Sequence, residues 1–200
     1  MENKLYYLGH ASLRITTKEG KVIYIDPYMG TDYSKPADLI LVTHDHYDHN
    51  EISKVENRNP DCKIITHKEA LVDGEHKSFD FGFVKVDTVS AGYNKYHDEN
   101  VCVGYILTID NKKIYVLGDT SITPDMDRID TMNIDYAFIP CDGIYTMNID
   151  EAKEASRKIN AKYSIPYHTI TDGTPFSEEV ANSFDVENRL IVRPEEEIVL

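Results

Sequence analysis

A histidine- and aspartate-rich segment, THDHYDH at residues 43–49, constrains this chain more than any other part of its sequence. It follows a run of four apolar residues, whose length and polar flanks indicate a buried strand. In extended backbone, residues two apart point to the same side, so His44 and His46 can bind one metal ion together. Asp48 and His49 fall in the following turn, where neighbouring side chains diverge and can reach a second ion. A solvated polar loop is the alternative, but the demanding spacing favours a metal site at a strand end.

Composition bounds the class of protein. The 200 residues suit one sizeable domain, and we expect a single domain over residues 1–200. The formal net charge of −14 disfavours general nucleic-acid binding through a basic face. It leaves a small-molecule substrate open, anionic ones included, because two bound metal ions would make a pocket locally positive. The oligomeric state stays open.

The sequence shows no targeting or membrane segment. The first residues, MENK, lack the apolar core of a signal peptide, and no run approaches the roughly 18 apolar residues of a membrane span. Three widely spaced cysteines without a C-x-x-C motif favour reduced thiols. We therefore expect a cytoplasmic protein that does not bind membranes.

Apolar alternation and turn residues predict many short strands and a few helices. The predicted strands are residues 4–8, 11–17, 22–25, 39–42, 63–66, 101–109, 113–117, 136–139, 163–167 and 190–192, with a strand-rich region at 79–89. The predicted helices are residues 51–56, 67–73, 149–159 and 177–184, with a further helix start at 123–125. Asn148 and Glu151 are spaced like a capping box, and the polar residues 91–100 predict a loop.

One stretch of the sequence occurs twice in similar form. KLYYLGHAS at residues 4–12 and KIYVLGDTS at residues 113–121 are identical at five of nine positions. K-x-Y-x-L is also a generic strand pattern, so coincidence is the alternative explanation. A structural repeat would place His10 and Asp119 at matching strand ends in two β-rich halves.

The segment at residues 43–49 resembles the H-x-H-x-D-H signature of the metallo-β-lactamase-fold hydrolases. Four further pieces match this family in its order: GHAS at 9–12, IDP at 25–27, GDT at 118–120 and PYH at 166–168. GHAS, with YTM at 145–147, most resembles the branch of small stand-alone hydrolases that includes the ascorbate-6-phosphate lactonases. The resemblance implies an α/β fold of the αββα type. In this four-layer sandwich, two mixed β-sheets are flanked by helices and the site lies between two halves.

The resemblance also implies a site for two divalent metal ions. The implied ligands are His44 and His46 for the first ion, Asp48, His49 and His168 for the second, and Asp119 as the bridge between them. A carboxylate suits the bridge because each of its oxygens can bind one cation. Zn²⁺ is the default ion for such a His/Asp set, and Mn²⁺ or Fe²⁺ is also compatible.

One ligand of the first ion departs from the family pattern. Many relatives carry a histidine just after the strand that corresponds to residues 86–89, where this chain has SAGYN at residues 90–94. The next histidine is His97, and we expect the loop to fold back and supply it as the missing ligand. A weaker first site is the alternative.

Four other residues have less support from the sequence. His10 is expected to serve catalysis by contacting the substrate or a metal ligand. It is not expected to bind metal itself. Asp26 is expected to hydrogen-bond a ligand histidine and fix its tautomer. His67 and His76 have no supporting motif and are expected at the surface.

These features together predict a metal-dependent hydrolase. A hydroxide bridging the two ions, formed from a water whose pKa is lowered toward ~7, would attack a small ester, lactone or phosphodiester. Asp48 would orient that water and pass on its proton. One alternative is a non-catalytic metal-binding or interaction protein on the same fold. The other, a di-iron electron-transfer protein, would be expected to have a carboxylate in place of His46 and a flavin-binding partner domain, and this chain has neither.

Overall fold

Two six-stranded β-sheets face each other in this protein, whose computed structural model describes residues 1–200. The first sheet contains, side by side, β1 (Lys4–Gly9), β2 (Ser12–Thr16), β3 (Val22–Ile25), β4 (Ala37–Leu41) and β5 (Arg58–Ile65), with β14 (Glu197–Val199) next to β1. The second sheet contains, side by side, β8 (Ser78–Asp80), β9 (Lys85–Ser90), β10 (Val103–Ile109), β11 (Lys112–Val116), β12 (Tyr136–Pro140) and β13 (Tyr163–Tyr167). A separate hairpin pairs β6 (Leu71–Val72) with β7 (Glu75–His76).

Short helices complete the structure. They are α1 (His67–Ala70), α2 (Met126–Ile129), α3 (Ile149–Ile159) and α4 (Glu178–Ser183), with 3-10 turns at Ile52–Lys54 and Asp130–Met132. No helix among them has the length and apolar character needed to cross a membrane.

The two sheets have the same succession of strand directions. In the first sheet, β14, β1, β2 and β3 pair antiparallel, and β3, β4 and β5 pair parallel. In the second sheet, β8 to β11 pair antiparallel and β11, β12 and β13 pair parallel. By this pattern β11 corresponds to β3, which is followed by Asp26, and not to β1. The expectation that His10 and Asp119 occupy matching positions is therefore wrong, although both line one cavity.

A core of 24 buried residues fills the space between the sheets. Alternation along β1 sends Leu5 and Tyr7 into this core. The second sheet meets them with side chains of β10, namely Val103, Tyr105 and Leu107. The shared core holds the strand ends of both sheets in fixed positions, which is the condition for building a site across them.

The outer faces of the sheets are covered in different ways. α2 and α3 pack on the second sheet, where Met126, Ile129, Ala152 and Ala155 are buried. The first sheet packs instead against loop residues such as Tyr33 and the 3-10 turn that precedes β5. β4 is buried along its whole length because both faces of its sheet are covered, which explains the apolar run that begins at Leu39. The αββα fold class is confirmed, with little helix on the first sheet.

The longest helix, α3, follows its sequence pattern closely. Ala155 and Ile159 recur at helical spacing and are fully buried. The Asn148 side chain caps the helix by accepting a hydrogen bond from the Glu151 N–H at 3.0 Å. The Glu151 carboxylate does not return to Asn148 but accepts a hydrogen bond from the Ile122 N–H at 3.2 Å. Half of the predicted capping box forms, and the other half ties α3 to the segment before α2.

Two predicted helices are shorter in the structure. The helix expected at residues 67–73 ends at Ala70, because the chain enters strand β6 at the next residue. Gly74 lies in the turn between β6 and β7. The helix expected at residues 51–56 is a single 3-10 turn. α2 begins at Met126, directly after the helix start expected at residues 123–125.

The last predicted strand is wrong. Residues 190–192 are irregular, and the final strand is β14, paired with β1. The Leu190 N–H donates to the carbonyl of Ser164 in β13, but no ladder extends beyond it. Val192 is nevertheless fully buried in the core. The apolar character of this segment therefore reports burial and not strand pairing.

Candidate metal centre

The carboxyl ends of strands from both sheets meet around a cavity of about 520 Å³. The cavity is lined by six of the predicted site residues: His10, His46, Asp48, His97, Asp119 and His168. His44 and His49 are buried, with 2% and 0% of their surface exposed, and their rings lie 4.2 Å apart between centroids. All the predicted ligands and His10 are therefore brought to one place from segments far apart in the sequence.

The candidate ligand atoms form two groups, in each of which all atoms lie within 4.8 Å of one another. The first group contains His44, His46 and His97. The second group contains His10, Asp48, His49 and His168. A further set joins them, because Asp119 lies within the same distance of one histidine from each group, His44 and His49.

Asp119 lies between the two groups. Its Oδ1 is 3.3 Å from His49 Nε2, and its Oδ2 is 3.3 Å from both His97 Nε2 and His168 Nε2. Two ligand atoms ~2.0–2.1 Å from one tetrahedral zinc ion are roughly 3.3–3.4 Å apart. The spacing around Asp119 therefore fits atoms that share metal ions, in keeping with the bridging position expected for this carboxylate.

Several buried atoms of this cluster have no hydrogen-bond partner. They are Nε2 of His44, His49, His97 and His168, and Oδ1 of Asp119. Buried polar groups are nearly always satisfied, and each exception costs roughly 1–3 kcal/mol. The 3.3 Å approaches among these atoms do not supply hydrogen bonds. Imidazole nitrogen and carboxylate oxygen are ligands that zinc and related divalent ions take, so the residues fit such ions.

Asp26 orients one of the candidate ligands. Its Oδ2 is 2.8 Å from His49 Nδ1 and accepts the Thr43 hydroxyl at 2.7 Å, while its Oδ1 accepts the Thr43 N–H at 2.7 Å. A proton on His49 Nδ1 leaves Nε2 with a free lone pair directed at Asp119. The hydrogen bond expected between Asp26 and a ligand histidine is confirmed.

A second carboxylate, Asp142, lies beside the ring of His168 and is not predicted from the sequence. Asp142 Oδ2 lies 3.2 Å from His168 Nδ1 and accepts the Thr146 hydroxyl at 2.6 Å. Its Oδ1 accepts the N–H groups of Ile144 and Tyr145, both at 2.7 Å. The only sequence signal is an aspartate three residues after the predicted strand at 136–139, which is also typical of an ordinary turn.

His10 lies inside the second group. Its Nε2 is 3.2 Å from Asp48 Oδ2, and its ring centroid is 3.8 Å from that of His168. Its carbonyl accepts the His168 N–H at 2.9 Å and the Tyr7 hydroxyl at 2.8 Å, so the backbone is fixed. Burial lowers the pKa of its imidazole. The structure places His10 at the cavity, where it can face both Asp48 and a bound substrate.

Charges in the second group are strongly coupled to Asp119. Burial opposes protonation of His168, but the Asp119 carboxylate outweighs it and raises the pKa of this histidine to about 9. Burial also acts to lower the pKa of His49, but Asp119 and Asp26 raise it well above its ordinary value. These imidazoles in turn hold the pKa of Asp119 well below its ordinary range, although its burial acts the other way. Metal ions must therefore displace protons from this group.

In the first group, the surroundings lower the pKa of two histidines instead of raising it. Burial, followed by the neighbouring His49, holds the pKa of His44 well below its ordinary value. Burial and the adjacent His97 also lower the pKa of His46. Neutral imidazoles are the form that binds metal, so His44 and His46 are ready to act as ligands at neutral pH.

A model of the β-lactamase superfamily domain matches residues 4–168 of this chain. The matched range spans both sheets and ends at His168, so it includes every candidate ligand. This chain belongs to the metallo-β-lactamase-fold hydrolases.

Relatives with known names agree with this family. A UPF0173 metal-dependent hydrolase of Bacillus velezensis is 33% identical over 197 residues, covering 84% of this chain and 86% of that protein. The crystal structure of a Parabacteroides distasonis protein, described as a candidate metal-dependent hydrolase, has a TM-score of 0.77 at 27% identity and covers 96% of this chain and 93% of that one. A candidate zinc-dependent hydrolase of the metallo-β-lactamase superfamily from Thermotoga maritima has a TM-score of 0.62 at 26% identity, covering 87% and 79%.

In this member of the family, the loop after β9 supplies the third histidine of the first group. The Gly92 carbonyl accepts the Ser121 N–H at 2.7 Å and the Thr120 hydroxyl at 3.1 Å, which fixes the start of the loop. Asn94 Oδ1 then accepts the His97 N–H at 3.0 Å and lies 3.3 Å from His97 Nδ1. The loop folds back in the way expected and leaves His97 Nε2 free to act as a ligand.

Gly92→Ala is expected to lower the melting temperature and the metal content. Gly92 has φ of +91°, and a Cβ there would lie 2.8 Å from the His97 carbonyl and 3.0 Å from the Glu99 nitrogen. The loop would have to move and take His97 with it. We expect a loss of roughly 1–3 kcal/mol in folding free energy, with elemental analysis showing reduced metal per chain.

Gly74→Ala is the matched control for this variant. Gly74 has φ of +77°, but a Cβ there would meet no atom within 4 Å. Its substitution shares the backbone strain and leaves His97 in place. Equal metal content in the Gly92 and Gly74 variants would contradict the role given to the loop.

The two remaining histidines differ from each other. His76 is exposed, as expected. The expectation for His67 is wrong, because only 8% of its surface is exposed and burial lowers its pKa. His67 is the first residue of α1, which is held close to the sheets by the buried Ala70. Neither histidine belongs to a cluster of candidate ligands.

Proposed function

We propose that this chain is a binuclear metal-dependent hydrolase that cleaves a small ester, lactone or phosphodiester. The observation that carries the proposal is the set of buried, unpartnered imidazole and carboxylate atoms around Asp119, beside a cavity. Zn²⁺ is the ion we expect from these ligands, and Mn²⁺ or Fe²⁺ would use the same residues. A cavity of about 520 Å³ falls within the range typical of small-molecule sites.

Each candidate ligand has a place in this proposal. The first ion would be held by His44, His46 and His97, the second by Asp48, His49 and His168, and both by Asp119. When bound, the ions would lower the pKa of a water molecule and polarise the carbonyl or phosphoryl oxygen of the substrate.

The remaining chemistry belongs to side chains of the cavity. Asp48 has 22% of its side chain exposed, and its hydrogen bond with His10 holds its pKa well below the ordinary range even though burial opposes this. We assign to Asp48 the orientation of the attacking water and the acceptance of its proton. His10 fixes Asp48 Oδ2 from one side and faces the substrate. Asp26 and Asp142 keep His49 and His168 aligned.

Metal content is the first test of this function. Purified protein, reconstituted with Zn²⁺ and dialysed, is expected to contain about two ions per chain by elemental analysis, as a two-metal site requires. His97→Ala is expected to retain the ion of the second group and to lose the other. His76→Ala, which alters an exposed histidine outside both groups, should keep both ions. No metal on purification and no uptake on reconstitution would exclude the proposed site.

A substrate panel is the second test. The metal-loaded protein should be assayed on matched esters, lactones and phosphodiesters, with the metal-free protein as the control. We expect turnover in at least one class that disappears on metal removal. Two bound ions without turnover on any member would favour the non-catalytic metal-binding alternative. The di-iron electron-transfer alternative is disfavoured by the histidine at position 46, which lies at the cavity with His44 and His97.

A further inference from the structure

We propose, on the basis of the function proposed above, that the substrate carries an uncharged, flat ring next to the bond that is cleaved. Tyrosine side chains at the mouth of the cavity would hold this ring, and no lysine or arginine lines the cavity to bind an anionic group. The proposal narrows the expectation from the sequence, which leaves an anionic substrate open.

The charges around the cavity support the first part of this proposal. Among the 14 residues that line it, Asp45, Asp48 and Asp119 are acidic and none is lysine or arginine. Lys95 and Lys54 contact tyrosine rings at the mouth, but neither lines the cavity. A negative group on the body of the substrate would lose water without gaining a partner, which is unfavourable. Bound metal ions would be partly neutralised by Asp48 and Asp119, and their open positions would be taken by the reacting oxygen and the attacking water, so a further negative group would still have no direct partner.

Two tyrosine pairs support the second part. Tyr96 and Tyr145 have ring centroids 4.8 Å apart at an interplanar angle of 68°, and Tyr28 and Tyr47 have centroids 5.8 Å apart at 87°. All four line the cavity. A further aromatic ring can pack against such tyrosines, either stacked with an offset or edge to face.

Each pair is attached to one of the two groups of ligands. The Tyr28 ring lies 5.7 Å from the ring of His10 in the second group. The Asn94 side chain that contacts His97 also donates to the Tyr145 carbonyl at 3.2 Å, which links the other pair to the first group. A ring next to the reacting bond would therefore meet a tyrosine whichever group it lies beside.

The hydroxyl groups of these tyrosines are free. None of the four makes a hydrogen bond within the protein, whereas the buried Tyr7, Tyr105 and Tyr167 all use theirs. The mouth is also exposed, with 78% of Tyr47, 41% of Tyr96 and 43% of Tyr145 accessible. These rings do not support the core, and exposed aromatic groups concentrated at a cavity indicate a binding role.

The test compares two esters that differ by one charge. Phenyl acetate and 4-acetoxybenzenesulfonate are both cleaved by water to acetate and a phenol, and a sulfonate carries charge with little affinity for metal ions. For the metal-loaded protein, kcat/KM for each ester is divided by its rate constant with hydroxide, which corrects for intrinsic reactivity. We expect the neutral ester to be preferred about tenfold, through a lower KM, since the sulfonate would lose water without gaining a positive partner.

Variants separate the ring from the hydroxyl. Tyr96→Ala and Tyr145→Ala are each expected to raise KM about two- to tenfold for both esters, because both carry the ring, and Tyr96→Phe is expected to leave KM unchanged. Ile144→Ala is the control, because Ile144 is 58% exposed beside Tyr145 but does not line the cavity. An unaltered KM for phenyl acetate in both alanine variants, or equal use of the two esters by the unaltered protein, would overturn the proposal.

Binding of the two phenols keeps this test independent of turnover. If neither ester is cleaved, phenol and 4-hydroxybenzenesulfonate are titrated into the metal-loaded protein by calorimetry. Tighter binding of phenol than of 4-hydroxybenzenesulfonate, with both weakened in Tyr96→Ala, supports the proposal, and equal binding of the two by the unaltered protein overturns it. Failure of the hydrolase function itself is shown separately, by the absence of turnover across the whole substrate panel.

Discussion

Asp119→Asn is expected to lower hydrolysis by more than about 10³-fold and to reduce the metal content below two ions per chain. The reason is that Oδ1 of Asp119 lies 3.3 Å from His49 Nε2, and Oδ2 lies 3.3 Å from Nε2 of both His97 and His168. Asparagine keeps the shape of the side chain but replaces one oxygen by an NH₂ group, which offers no lone pair to a metal ion. Loss of one transition-state contact lowers kcat roughly 10²–10³-fold. This substitution would also weaken the binding of both proposed ions.

Asp142→Asn is the matched control. Asp142 Oδ2 lies 3.2 Å from Nδ1 of His168, whereas Asp119 approaches Nε2 of the same ring, so Asp142 orients a ligand and binds no ion in the proposed site. Removing such a partner typically costs about 10–100-fold in metal affinity or activity. Turnover and metal content should be measured for both variants with the best substrate of the panel. Two ions and unaltered turnover in Asp119→Asn would show that its carboxylate is not the shared ligand.

The part of the site that sequence alone predicts best is the segment at residues 43–49. Its chemistry is local: a strand end fixes the direction of His44 and His46, and the turn places Asp48 and His49 on the other side. No other element of the fold has to be known for this prediction. The same holds for α3, whose apolar spacing and cap lie within one continuous stretch.

The distant residues were harder to predict because their roles depend on packing. Asp119 and His168 are predicted only through the resemblance to a family and, for Asp119, through a sequence repeat. The repeat makes β11 equivalent to β1, whereas the strand directions make it equivalent to β3. Asp142 was missed because an aspartate after a strand is equally typical of a turn. Residues 190–192 are apolar because they are buried, and burial does not distinguish a strand from irregular structure.

Backbone conformation at the strand ends was also outside the reach of sequence patterns. His10, Asp26 and His168 are the first residues after β1, β3 and β13, and they have left-handed φ values of +54°, +45° and +45°. This conformation costs a non-glycine residue on the order of 1–3 kcal/mol. Hydrogen bonds maintain it, since the His168 N–H donates to the His10 carbonyl and the Asp26 N–H to the Leu41 carbonyl, both at 2.9 Å. The fold therefore turns three site residues sharply out of their strands.

The stabilisation of the fold by metal is expected to increase as pH rises from about 6.5 to about 9. In the metal-free protein, the pKa of His168 is raised from 6.5 to about 9 by Asp119 against the opposing effect of burial. A raised pKa stabilises the fold fully below pH 6.5, and this stabilisation is lost as pH rises through 9. His49 acts in the same direction, because its pKa is also raised. The metal-bound form needs neutral imidazoles, so its formation becomes more favourable over the same range.

The contribution of His168 is on the order of 3 kcal/mol, at 1.36 kcal/mol for each pKa unit. For a chain of this length, that corresponds to roughly 6–12 °C in melting temperature. Thermal unfolding of zinc-loaded and chelator-treated protein should be followed at several pH values between 6.5 and 9. We expect the melting temperature of the metal-free form to fall as pH rises. The fall should be less steep in His168→Gln and the same as in the unaltered protein in His76→Gln, the control at an exposed histidine. A flat or rising melting temperature of the metal-free form would mean that Asp119 does not hold a proton on these histidines, and that metal binding has no proton to displace.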